Sequence, residues 1–121
     1  MYRMDGDEVY LDKQLVISRT GSPGRLSVSG AIDYYNAEAV AAALTRELRA
    51  GVSSAANGDL HIDVSMLEFT DVTGIRALVR IAENGAGGRR LVLSGLPEGI
   101  KTVIKVIGWA DLPNLVIEEA L

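Results

Sequence analysis

Asp71-Val72-Thr73-Gly74 sets a carboxylate, a hydroxyl and a glycine side by side, directly ahead of the apolar run that starts at Ile75. Such a group can serve a catalytic turn, a phosphate cradle or a surface offered to another protein. Paired-carboxylate catalysis needs a second copy of the motif, and the chain has none. Val72 also splits the acid from the threonine, unlike the Asp-Thr-Gly of aspartic proteases. No G-x-x-x-x-G-K-[ST] loop occurs. Gly85-Ala86-Gly87-Gly88 follows a helical run and precedes a strand-like one, the reverse of a dinucleotide loop. The one histidine, His61, stands in a strand-like run with no Ser or Cys nucleophile beside it in sequence. With no cysteine and no H-x-x-x-H spacing, a transition-metal site has no ligand set. These exclusions predict a non-enzymatic protein without metal or cofactor. What remains for Asp71–Gly74 is a helix start: Thr70 or Asp71 can cap its unpaired N–H groups, and Gly74 admits a close neighbour. Helix starts also welcome phosphate, so a hydroxyl here is a plausible place for a regulatory phosphoryl group.

The elements that must hold this segment follow from periodicity. The 121 residues fit one domain, and 48% apolar with 23% charged is ordinary for a globular chain. The net charge of −4, with no basic cluster, argues against nucleic acid and anionic membrane as partners. MYRMDGDEVY lacks an apolar stretch, so no secretory signal is expected, and the cytoplasm is the expected location. Residues 1–12 read as a tail or edge element, ahead of a domain over residues 13–121. Leu15–Arg19 and Arg25–Ala31 flank TGSPG as a hairpin. A helix is predicted over 36–50, on Ala37, Val40, Ala41, Leu44 and Leu48, with Asn36 as its cap, Glu38 suiting its dipole and Gly51 ending it. LHIDVSML is a buried strand carrying Leu60, Ile62 and Val64 on one face. A second helix over 73–84 carries Ile75, Leu78, Val79 and Ala82 inward. Arg76 and Arg80 lie on its outer face, with Glu83 near Arg80. RRLVLSG is a strand. A third helix over 97–107 starts at Pro97, with Ile100, Val103, Ile104 and Ile107 inward and Lys101 and Lys105 outward. Gly108 takes the left-handed position after it, and Trp109 folds back toward Ile104. NLVIEEAL closes the chain as a strand. The order β, β, α, β, α, β, α, β predicts a small α/β domain whose mixed, mostly parallel sheet packs against helices.

The apolar strand ending in MLEFTD, the Asp-Val-Thr-Gly run and the apolar helix behind it resemble the STAS domain, the family of the bacterial anti-sigma factor antagonists. VSGAIDYYNAEAVAAAL and GGRRLVLSGLPEGIKTVIKVIGWADLPNLVI are similar to the family's second-strand-to-first-helix segment and to its closing units. The resemblance runs from about Leu15 to Glu118. It implies docking on an anti-sigma factor, a protein kinase of the histidine-kinase-like ATPase type, and release of a sigma factor for transcription. It also implies a phosphorylation cycle, closed by a metal-dependent phosphatase, on the residue after the motif Asp. That residue is Val72 here, which has no hydroxyl. Thr73, one position on and about 100° around a helix, is the remaining phosphorylation candidate. The implied contact surface centres on Asp71, Val72, Thr73 and Gly74, with Arg76 on the same helix and Asp33, Tyr34, Tyr35 and Asn36 beside them. A monomer or weak homodimer is expected. Two rival readings are an accessory or scaffold subunit of a lipid-transport or stress-signalling complex, and a small-ligand sensor with a pocket between sheet and helices.

Overall fold

The structure is a computed structural model that describes residues 8–21, 24–50, 59–83 and 89–118. Strands β1 (Glu8–Leu11), β2 (Leu15–Arg19) and β3 (Arg25–Ile32) pair antiparallel. From β3 onward the sheet is parallel: β4 (Leu60–Thr70), β5 (Leu91–Ser94) and β6 (Leu115–Ile117) follow in sequence order. Helices α1 (Ala37–Ala50), α2 (Val72–Glu83) and α3 (Glu98–Ile107) make the three crossovers. Right-handed crossovers that all advance one way along a sheet place their helices on one face. The core forms there. Leu26, Val28, Ile62, Val64, Leu91 and Leu93 of the sheet join Val40 and Leu44 of α1, Leu78 and Ile81 of α2 and Ile104 of α3. Each such side chain, fully buried, stabilises the fold by roughly 1.5–3 kcal/mol relative to exposure.

The expected α/β order therefore holds, with edge strand β1 added at residues 8–11. The tips of the expected loops at residues 22–23, 51–58 and 84–88 lie outside the described residues, as do residues 1–7. Residue 84, the last of the predicted second helix, and Gly51, the expected end of the first, fall there too.

Several side chains depart from the sequence reading. Lys101, expected outward, is only 4% exposed, and its ammonium lies 3.1 Å from Glu98 one turn back. Its four-carbon stem covers apolar surface while the head reaches the exposed carboxylate. Ile107, expected inward, is exposed with Val106 in the last turn of α3, which ends at Gly108. Gly108 does adopt the left-handed conformation, with φ 94°, and its N–H turns back to the Ile104 and Lys105 carbonyls. Trp109, half-buried against the core, opens a short 3-10 turn to Asp111. Pro97 stands just before α3, and its carbonyl accepts from the Ile100 and Lys101 N–H groups.

Strand β4 is not a plain alternating strand. Between Ser27 and Ser29 of β3, two steps, β4 advances three, from Asp63 to Met66. Between Gly30 and Ala31, one step, it advances two, from Leu67 to Phe69. Each extra residue is a bulge that shifts the side-chain phase. Hence Leu67 is buried while Met66 and Phe69 stand exposed, paired with Ser29 and Ala31 on the helix-free face.

Two polar clamps fix the sheet's margins. Arg90 grips both carboxylate oxygens of Asp59, at 2.6 and 3.3 Å, where β4 and β5 begin. Arg19 at the end of β2 holds both oxygens of Glu47 on α1, at 2.8 and 2.9 Å.

Gly30 tests how tightly β2 and β3 are drawn together. It has φ +118°, and a Cβ there would lie 2.0 Å from the Gln14 carbonyl oxygen. Gly30→Ala is expected to destabilise the protein by about 2 kcal/mol or more in urea unfolding. Gly99→Ala, in α3 with nothing within 4 Å of the added carbon, is expected to stabilise it by about 0.5–1 kcal/mol. Equal effects at the two sites would refute this reading of the β2–β3 contact.

Candidate partner-docking site

Parallel strands deliver their following loops to one end of a sheet, and β3 and β4 are neighbours. The β3–α1 turn, Asp33 to Asn36, therefore stands beside the start of α2.

Asp71 is the cap of α2. Its Oδ1 accepts the Gly74 N–H at 2.8 Å, and its carbonyl accepts the Ile75 N–H at 3.0 Å. Thr70 instead donates its hydroxyl to the Asp71 carbonyl, at 3.2 Å. A Cβ on Gly74 would lie 2.7 Å from the Ile32 carbonyl and 2.2 Å from the Thr70 hydroxyl. Glycine is thus what lets the first turn of α2 close on the end of β3. Between these two fixed points Val72 and Thr73 face solvent, Val72 with 56% exposure.

In the neighbouring turn, Asp33 accepts the Tyr35 N–H at 2.9 Å and so shapes the loop. Tyr34 and Tyr35 project from it, 72% and 89% exposed, their rings edge to face at 5.7 Å. Asn36 precedes α1 but does not cap it. Its amide oxygen accepts the Asp33 N–H at 2.9 Å, and its amide nitrogen donates to the Ala31 carbonyl and to Asp12, each at 3.0 Å. The first turn of α1 takes its bond from a carbonyl instead, Asp33 to the Ala37 N–H at 2.9 Å.

Tyr34, Thr73 and Arg76 line one small cavity of about 90 Å³ between α1 and α2. Arg80 borders it too and pairs at 3.3 Å with Glu38 of α1, where Glu83 was the expected neighbour. Asn36 and Gly74 are buried and support the surface from beneath.

The sequence reading missed Asp12. Its carboxylate accepts from the Tyr10 hydroxyl at 2.5 Å, the Gln14 and Leu15 N–H groups at 2.7 and 2.9 Å, and Asn36. It thereby ties the β1–β2 turn to the loop that carries the tyrosines. Burial pushes its carboxyl up, but these donors outweigh that and hold it below the usual 3.8. Burial, then the bond to Asp12 and its charge, push Tyr10 up to about 12. The spacing Asp12-x-Gln14 is an Asx turn and could have been noticed; the partner 24 residues on could not.

Among the described residues no helix is long and apolar enough to cross a membrane, and no cluster of three His, Cys, Asp or Glu could hold a metal.

The chain matches the family model described as Mlab, STAS domain, over residues 15–117. It belongs to the STAS domain family. Among solved structures it is similar to an anti-sigma factor antagonist of Mycobacterium paratuberculosis, at 25% identity and TM-score 0.56, with 84% of this chain and 85% of that one covered. A Thermotoga maritima protein described provisionally as an anti-sigma factor antagonist is 14% identical with TM-score 0.62, over 87% and 86% of the two chains. The anti-sigma factor antagonist SpoIIAA in its unphosphorylated form is 15% identical with TM-score 0.57, over 88% and 89%. Comparison with curated proteins gives no match.

Two outcomes are expected from this geometry. Asp71→Ala should lower stability by about 1 kcal/mol through the lost cap, and Gly74→Ala by about 1–3 kcal/mol through overpacking against β3, both read by denaturant unfolding. A Gly74→Ala protein as stable as the parent would contradict the close approach.

The second outcome concerns pH. The folded carboxyl of Asp12 lies below its unfolded value, so its contribution is present above about pH 4 and is lost as pH falls through the folded value. Tyr10 is raised, so its contribution is present below about pH 10 and is lost as pH rises toward 12. Asp12→Asn should flatten the acid limb of the stability profile and bring Tyr10 back toward 10 in an absorbance titration; an unchanged Tyr10 titration would disprove the pairing.

Proposed function

We propose that the chain is an anti-sigma factor antagonist-like regulator that docks on a kinase-type anti-sigma factor and so controls sigma-factor-dependent transcription. The docking face is centred on Val72 and Thr73, framed by Tyr34, Tyr35, Asp33 and Arg76, and held by Asp71, Gly74 and Asn36. The observation that carries this reading is the exposure of apolar Val72 on the capped start of α2, next to the turn that exposes Tyr34 and Tyr35. Exposed aromatic and aliphatic anchors on a fixed frame are what a protein partner can bury. The likeness to anti-sigma factor antagonist structures and the family membership support it.

Val72 at the acceptor position makes docking depend on amount and affinity, with Thr73 as the one exposed hydroxyl of the motif. A phosphoryl group there would act by charge and bulk on the contact face. A second reading, an accessory or scaffold subunit of a lipid-transport or stress-signalling complex, uses the same face without a phosphorylation cycle. The valine at that position favours it.

Val72→Glu is expected to weaken binding to the partner by more than about 1 kcal/mol in calorimetry, while circular dichroism shows an intact fold. An acid in the first turn suits the helix dipole, so folding is not at risk. A folded variant that binds as tightly as the parent would remove Val72 from the interface. Stoichiometric phosphate on Thr73 after incubation with the partner and ATP would show a working switch and exclude the scaffold reading.

A further inference from the structure

A trough of about 340 Å³ runs between α1 and α2, away from the sheet, and it borders the small cavity at Thr73 through Glu38 and Arg80. Its charge is one-sided. Arg46 and Arg49 stand on the α1 wall and Arg80 on the α2 wall, Arg76 stands in the adjoining cavity, and the lining residues of both carry one carboxylate against them, Glu38. Glu38 is paired with Arg80. Among the described residues Arg46, Arg49 and Arg76 have no hydrogen-bond or ion-pair partner. The whole chain is acidic, at −4, so three arginines in the trough and a fourth in the adjoining cavity run against its overall balance.

Between the arginines the trough is lined by Ala41, Ala42, Thr45 and Ile81, and the adjoining cavity by Ala37 and Ala77. Small residues between two helices leave a furrow that a third helix can enter. From Glu38 to Arg49 the furrow is about 16 Å long, some three helical turns at a rise of about 1.5 Å per residue. Arg76 and Arg80 are one turn apart, the spacing at which carboxylates recur along one face of a helix.

We propose that this trough is the seat of an acidic amphipathic helix from the partner protein, laid between α1 and α2 with its carboxylates on Arg46, Arg49 and Arg76. The inference rests on the docking reading above and extends that face from the start of α2 along its length. Guanidinium groups bind carboxylates in bidentate geometry, and a helix in a groove presents them at turn spacing. Charge of this kind sets register and association rate more than it adds affinity, which suits a surface whose apolar anchors lie at one end.

The test uses the full chain and a fluorescent alanine-based helical peptide about three turns long, with glutamates one turn apart. Saturable binding is expected. It should weaken about tenfold between about 50 and about 300 mM salt, and about tenfold in Arg46→Glu/Arg49→Glu, whose fold is verified by circular dichroism. Lys105→Glu, on α3 away from the trough, should leave affinity within about twofold. No saturable binding overturns the proposal. So does equal binding of the lysine counterpart or of a proline-broken peptide, and so does an unchanged affinity of the double variant. Tighter, arginine-dependent binding of a single-stranded oligonucleotide would identify a phosphate track and overturn it as well. The readout needs no natural partner. A result for the trough is thus separate from the Val72→Glu result, which decides the docking reading itself.

Discussion

Strand β4 spends more residues than its neighbour over the same stretch of sheet, and much of the molecule follows from that mismatch. Of the two bulges opposite β3, the one between Asp63 and Met66 lets Leu60, Ile62, Val64 and Leu67 all reach the core although they do not share one parity, and the one between Leu67 and Phe69 returns the strand to its first phase. They also bring Thr70 opposite Ile32, the residue whose carbonyl the first turn of α2 must approach. Without the two added residues Thr70 would lie two positions, roughly 6–7 Å, past Ile32, and the first turn of α2 would miss that carbonyl. Bulges commonly re-aim a chain beside a functional surface, and here the re-aimed segment is the helix start that carries Val72 and Thr73.

The same end of the sheet shows how a short loop is made rigid without apolar packing. Asp33 shapes the turn, Asn36 fills it with three hydrogen bonds, and Asp12 receives one of them from across the sheet edge. Tyr34 and Tyr35 are therefore exposed but not adrift. A loop backbone that is already fixed loses little further freedom when a partner covers it, which is where preorganised surfaces gain affinity.

The architecture was legible because strand and helix periods differ, and the three apolar stripes at helical spacing lie where the helices are. Asp71 as a cap and Gly108 as a left-handed end were legible for the same local reason. What the sequence hid was long-range. Asn36 has the look of a cap, but its three polar partners lie at Ala31, Asp33 and Asp12, and the last is fixed only by the β1–β2–β3 register. Lys101 has a charged name at a surface-like spacing; its burial depends on how α3 meets the sheet and on Glu98 waiting one turn away. The burial of Leu67 beside Leu60, Ile62 and Val64, and the exposure of Met66, follow only once the first bulge is counted. Arg46 and Arg49 drew no notice, since their meaning comes from standing across a furrow from Arg76 and Arg80 on another helix.

The run from Thr70 to Gly74 divides sharply between positions the fold has claimed and positions it has not. Gly74 has no room for even one more carbon, and Asp71 holds the helix by its oxygen. Val72 and Thr73 touch neither task. Substitutions there meet neither the close packing at Gly74 nor the cap at Asp71, so the fold constrains them little. The domain can therefore exchange one side chain for another at these two positions and stay folded. The segment is strict as architecture and permissive as surface: two residues fix its shape, and two others set the chemistry it shows to solvent.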